Sequence, residues 1–120
     1  MLKKKFRLKK YSAFIATYKL NNLLCDKNIC IYVGKEKTDY SQPTKFAFVV
    51  AKKVHKRAVK RNRIKRLMRE SVRQIIFTND FNFIHNYISL IFVARKNSLN
   101  ASFSDISCSV QNLLKEKCCN

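Results

Sequence analysis

A chain of 120 residues can bury one core of modest size but not two, so a single domain spanning residues 1–120 is expected. Twenty-six Lys and Arg against seven Asp and Glu give a formal net charge of +19, a self-repulsion that a polyanion would relieve, and nucleic acid is the default partner. One Gly and one Pro exclude collagen-like sequence and long flexible linkers, and no apolar stretch approaches the roughly 20 residues needed to span a bilayer.

The first ten residues hold six basic side chains, after which Tyr11, Phe14, Ile15 and Tyr18 recur at i, i+3, i+4 and i+7, the stripe of an amphipathic first helix. Asn21-Asn22 and Asp26-Lys27-Asn28 are turn chemistry. Ile29 to Val33 is a predicted strand of β-branched and aromatic residues, ended by Gly34. The polar stretch Lys35 to Thr44 is a loop leading into a second strand, Lys45 to Ala51. Its alternation puts Phe46, Phe48 and Val50 on one face and Ala47, Val49 and Ala51 on the other, so one face can pack while the other stays open.

Between Lys52 and Arg73 eleven Lys and Arg fall in twenty-two positions, interrupted by one acid, Glu70. Apolar residues recur within this run at helical spacing. At about 100° per residue, Leu67, Met68, Ser71, Val72 and Ile75 lie within roughly 80° of Ile64 and form a core stripe. Opposite them Asn62, Arg66, Arg69 and Arg73 make a straight ridge, with Lys65 and Arg63 on its two flanks. Arginine forks grip phosphate oxygens in pairs or stack on bases. Like charges at i, i+4 cost a few tenths of a kcal/mol per pair, so a helix serving stability alone would carry more Glu; the ridge is suited to tracking a phosphate backbone.

After an aperiodic stretch from Thr78 to Asn86, Tyr87 to Ala94 is the strongest strand signal and belongs mid-sheet. Ser102 and Asp105 resemble a capping box, opening a last helix whose apolar face is Phe103, Ile106, Val110, Leu113 and Leu114. The predicted order is α-β-β-α-β-α, an α+β fold.

Cys25, Cys30, Cys108, Cys118 and Cys119 are odd in number and include no C-x-x-C pair, which argues against a zinc site. No apolar signal segment follows the basic start, so five free thiols in a reducing cytoplasm are expected. A protein nuclease would need a catalytic cluster, yet His55, His85 and the scattered carboxylates share no motif. A membrane-surface helix fits poorly, because the stripe of the basic helix is matched by strands that need covering.

Lys52-Lys53 leading into Arg61-Asn62-Arg63-Ile64-Lys65-Arg66-Leu67 and Arg69-Glu70 resembles the signature of the bacterial ribonuclease P protein subunit. Phe6-Arg7-Leu8-Lys9-Lys10, Phe14 and the strand end Phe92-Val93-Ala94-Arg95-Lys96 are similar to that family in order and spacing. Tyr18 departs from it, standing where Phe is common, as do the Asn- and Phe-rich stretch Thr78 to Asn86 and the terminal Cys118-Cys119; none touches the basic helix.

The resemblance implies a single-domain α/β sandwich with a mixed sheet and a left-handed β-α-β crossover, the strands Lys45 to Ala51 and Tyr87 to Ala94 being parallel neighbours. It also implies a subunit that binds a catalytic RNA and assists endonucleolytic removal of the 5′ leader from precursor tRNA. The chemistry would lie in the RNA, which would hold the Mg²⁺, with no catalytic residue, cofactor or metal on the protein. No membrane and no obligate protein partner are implied. Carried over residue by residue, Arg61, Asn62, Arg63, Lys65, Arg66, Arg69 and Arg73 would face the catalytic RNA. Phe14, Tyr18, Tyr32, Lys52 and Lys53 would contact the leader, through aromatic platforms and positive charge. An aromatic stripe at helical spacing is as readily core as platform, and a structural RNA-binding protein such as a ribosomal component would share the same composition.

Overall fold

The stripe of the basic helix dictates how the chain is layered. In the computed structural model, which describes residues 4–78 and 82–119, Ile64, Met68, Ser71, Val72 and Ile75 are buried along helix α2, Ala58–Thr78. Burying an apolar side chain fully contributes about 1.5–3 kcal/mol, so four such anchors outweigh like-charge pairs costing a few tenths each. The helix therefore holds although Glu70 is its only acid.

It packs on a four-stranded sheet made by β1 (Leu23–Cys25), β2 (Ile29–Val33), β3 (Lys45–Val49) and β4 (Ser89–Ala94), in the spatial order β1-β2-β4-β3. The first two pairings are antiparallel and β3 pairs with β4 in parallel, so α2 is the crossover between parallel neighbours. A final helix α3, Phe103–Cys119, covers the same face beside α2. Its capping box is formed: the Ser102 N–H donates to Asp105 Oδ2 at 3.0 Å and the Asp105 N–H to Ser102 Oγ at 3.2 Å. Ile106, Val110, Leu113 and Leu114 join the buried parts of α2, β2 and β4 in the main core.

The opposite face carries helix α1, Tyr11–Leu20. Its buried side differs from the predicted stripe. Tyr11 is 79% exposed, whereas Ala13, Phe14 and Tyr18 pack onto Leu8, Ala47 and Ile91, and Thr17 is buried. Thr17 can sit there because its hydroxyl bonds the Ala13 carbonyl at 2.8 Å and Ser89 Oγ at 2.6 Å, which satisfies a polar group inside an apolar contact.

The predicted order of α-helices and strands is present with one added strand, β1, and short 3-10 turns at Lys4–Phe6, Asn82–Asn86 and Lys96–Asn100. Three residues, 23–25, are too few to show a period, and they become a strand because the 26–28 turn folds them onto β2. Asp26 Oδ1 accepts from the N–H groups of Asn28 and Ile29, and the Asp26 N–H donates to the Ile29 carbonyl at 2.9 Å. This hairpin corrects the expectation of five free thiols. Register makes Cys25 and Cys30 cross-strand partners and they form a disulfide, while Cys108 is free and exposed. The thiols of Cys118 and Cys119 lie outside the described side chains.

Candidate nucleic-acid interface

On α2 the cations separate into three directions, as a period of 3.6 requires. Asn62 and Arg66 are exposed on the crest. Arg63 turns towards α3, its guanidinium donating to the Ala101 carbonyl at 3.2 Å. Lys65 and Arg69, both partly buried, turn the other way, towards β3. Arg61 is also partly buried, and its Nε is shielded from solvent without an acceptor among the described residues. Such a donor is costly to leave unmade.

Arg73 continues the ridge but is already engaged. Its Nε lies 3.1 and 3.0 Å from the two oxygens of Glu70, the only ion pair among the described residues. The guanidinium holds the Glu70 carboxyl below its usual range. One edge of the guanidinium is thus occupied, which leaves Arg73 fewer free donors than its full fork would offer.

Lys65 and Arg69 form one wall of a cleft of about 340 Å³ at the outer edge of the sheet. Its floor is Phe46, Ala47 and Phe48 of β3, and Arg7, Leu8, Lys9 and Phe14 close it from the side of α1. The N-terminal segment runs along β3 because the Leu8 N–H donates to the Phe46 carbonyl at 2.8 Å and Arg7 bridges Phe46 in parallel. Residues assigned by resemblance to two different surfaces, Phe14 on one side and Lys65 and Arg69 on the other, therefore share one cavity.

Tyr18 and Tyr32 meet edge to face, with centroids 4.7 Å apart, and both pack half-buried on the α1 face of the sheet. Burial, reinforced by Tyr32, pushes the Tyr18 phenol above its ordinary value. Lys52 and Lys53 are exposed in the turn after β3, above Val54, which is buried; neither forms a wall of the cleft. Phe48 and Arg7 are among the cleft residues that the sequence does not mark as site residues. The alternation of β3 puts Phe48 on the face of Phe46 and Val50, where it stacks on Phe92 at 5.5 Å, and the edge position of β3 also brings it to the cleft. Arg7 lies in the Phe6 to Lys10 stretch that resembles the family, but nothing in that stretch shows that it faces the cleft.

His55 Nδ1 accepts from the Arg57 N–H at 3.0 Å and so belongs to the turn that starts α2. Among the described residues no three His, Cys, Asp or Glu side chains converge as a metal group would require. No helix among them is long and apolar enough to cross a membrane.

A mixed sheet covered by α2 and α3 on one face and by α1 on the other, which corrects the expectation of an open face, with an arginine-rich helix bordering an aromatic cleft, defines an RNA-binding protein of the α+β class. The family model described as Ribonuclease P matches residues 2–118, and the chain belongs to that family. It is 40% identical over 108 residues to the ribonuclease P protein component of Clostridioides difficile, covering 90% of this chain and 88% of that one. The Clostridium kluyveri counterpart is 36% identical over 111 residues, covering 92% and 93%. The RNase P protein structure from Staphylococcus aureus superposes with a TM-score of 0.73 at 26% identity, over 97% of this chain and 92% of that one.

Proposed function

We propose that this chain is the protein subunit of ribonuclease P, acting in the cytoplasm to bind the catalytic RNA and the 5′ leader of precursor tRNA. Endonucleolytic hydrolysis at the mature 5′ end takes place at a catalytic centre in the RNA, with Mg²⁺ held mainly by the RNA. The observation that carries this reading is the shared cleft, in which Lys65 and Arg69 of the basic helix face Phe14 of α1. A surface that grips one RNA and guides another needs cations and a stacking ring side by side.

Arg61, Asn62, Arg63, Lys65, Arg66 and Arg69, with a smaller share from Arg73, hold the catalytic RNA. Phe14, Tyr18 and Tyr32 offer ring faces and edges to the leader bases, and Lys52 and Lys53 hold its phosphates. The protein then acts by positioning: neutralising phosphates where catalytic and substrate strands approach lowers the repulsion that Mg²⁺ alone would otherwise screen. Reconstitution with a bacterial ribonuclease P RNA tests this. The protein should lower the magnesium or salt concentration needed to cleave precursor tRNA, and an unchanged requirement overturns the reading.

A further inference from the structure

At the end of the sheet away from the start of α2 lies a second cationic cavity. We propose that it is a separate RNA contact that seats a single nucleotide, its phosphate held by Lys5, Lys37 and His85 and its base stacked on Tyr40. This inference rests on the function proposed above.

The cavity measures about 400 Å³, within the roughly 300–1,000 Å³ usual for small-ligand sites, and Lys5, Lys37, Tyr40, Gln42, His85 and Asn86 are among its walls. Its back is rigid, because the chain beyond β2 continues to pair. The Gly34 N–H donates to the Ser89 carbonyl, the Ile88 N–H to that of Lys35 and the Lys37 N–H to that of Asn86, at 2.8, 2.8 and 2.7 Å. Lys37 is 8% exposed, so its stem is ordered before any ligand arrives. A lysine buried to this degree is normally paired, yet the only ion pair among the described residues is Arg73 with Glu70.

The acid nearest in its influence, Asp39, attracts Lys37 without reaching ion-pair distance, and its Oδ1 accepts from the Ser41 N–H at 3.0 Å and from Ser41 Oγ at 2.6 Å. Tyr40 is 65% exposed, a ring at the rim with a free face. An exposed aromatic beside two lysines that make no ion pair, with the His85 ring as a neutral hydrogen-bonding neighbour, matches a nucleotide, whose base offers a π-face to Tyr40 and whose phosphate offers oxygens to the others. Location makes the contact independent of the basic ridge. The Lys45 N–H, at the start of β3, bonds the Ile88 carbonyl at 3.0 Å, whereas Lys52, Lys53 and the first turn of α2 follow the far end of that strand.

The nucleotide belongs either to the catalytic RNA or to precursor tRNA, and two binding measurements separate these. Affinity for the catalytic RNA alone, and affinity of the reconstituted holoenzyme for precursor tRNA, are compared for the parent protein, Tyr40→Ala, Lys37→Gln and Arg66→Ala. Tyr40→Ala should weaken one of the two by roughly fivefold to a hundredfold, the loss of one stacked base, and thereby identify the source. Lys37→Gln should shallow the salt dependence of the same complex by about 0.7–0.9 log units per tenfold salt. Because the Tyr40 ring is mostly exposed, its removal reports on binding even where Lys37→Gln disturbs the loop. Unchanged affinities for both RNAs with Tyr40→Ala, while Arg66→Ala still weakens the catalytic RNA complex, remove this site and leave the proposed function standing. A parent protein that binds neither RNA removes both.

Discussion

Gly34 is the one glycine of the chain, and its place at the end of β2 has a steric cause. A Cβ there would meet Ser89 Oγ at 2.3 Å and the Ser89 carbonyl at 2.9 Å. The same Ser89 hydroxyl bonds Thr17, so crowding at Gly34 would disturb the junction of α1 with β4. Gly34→Ala should destabilise the fold by about 1–3 kcal/mol in urea unfolding, the usual range for overpacking; a wild-type midpoint would show that the strand end gives way freely. Tyr32 is half-buried against Tyr18, leaving part of the ring for a base. Tyr32→Ala should weaken precursor tRNA binding by the holoenzyme by about 1–3 kcal/mol and leave mature tRNA binding unchanged. Equal losses on both would assign this residue to packing alone. The sequence shows Gly34 as a strand terminator and Tyr32 as a ring with a polar end; neither the closeness of Ser89 nor the contact with Tyr18 is visible without the fold.

Among the elements, α2 was the most legible, because an angle around a helix follows from residue number alone. The expected buried stripe and the split of Lys65 and Arg63 to opposite flanks both appear, with Leu67 only half-buried at the margin. α1 was less legible, since Thr17 is polar by composition and becomes core only through its bond to Ser89. The hairpin strand β1 exists by pairing rather than by any period of its own. For α2 the structure ranks the ridge. Arg66→Ala should shallow the salt dependence of catalytic RNA binding by about 0.7–0.9 log units per tenfold salt, the value for one phosphate contact. Arg73→Ala should change it less, because Glu70 already neutralises that guanidinium. Equal slopes for the two variants would show that Glu70 yields Arg73 to the RNA.

For the molecule as a whole, a charge of +19 with one ion pair among the described residues means that folding gathers like charges which little in the chain offsets. An anion that binds the folded state should raise the melting temperature beyond the effect of screening. Millimolar sulfate against chloride at equal ionic strength separates the two, because the exclusion by which sulfate stabilises any fold needs far higher concentration, and a site filled at a hundred times its dissociation constant adds about 2.7 kcal/mol. Identical melting temperatures in both salts would reduce the effect to screening alone.

Residue order by itself determined the α+β fold, the buried stripe of α2 and the motif that marks the family, since period and spacing are local properties of a chain. The tertiary structure decided which groups act together. Setting β3 at the sheet edge and laying Arg7 to Lys9 along it joins Phe14 to Lys65 and Arg69 in one cleft. Strand register pairs Cys25 with Cys30, and the pairing beyond β2 brings Lys37 beside His85. Those neighbours are distant in sequence, and a period along one element carries no information about which other element will face it.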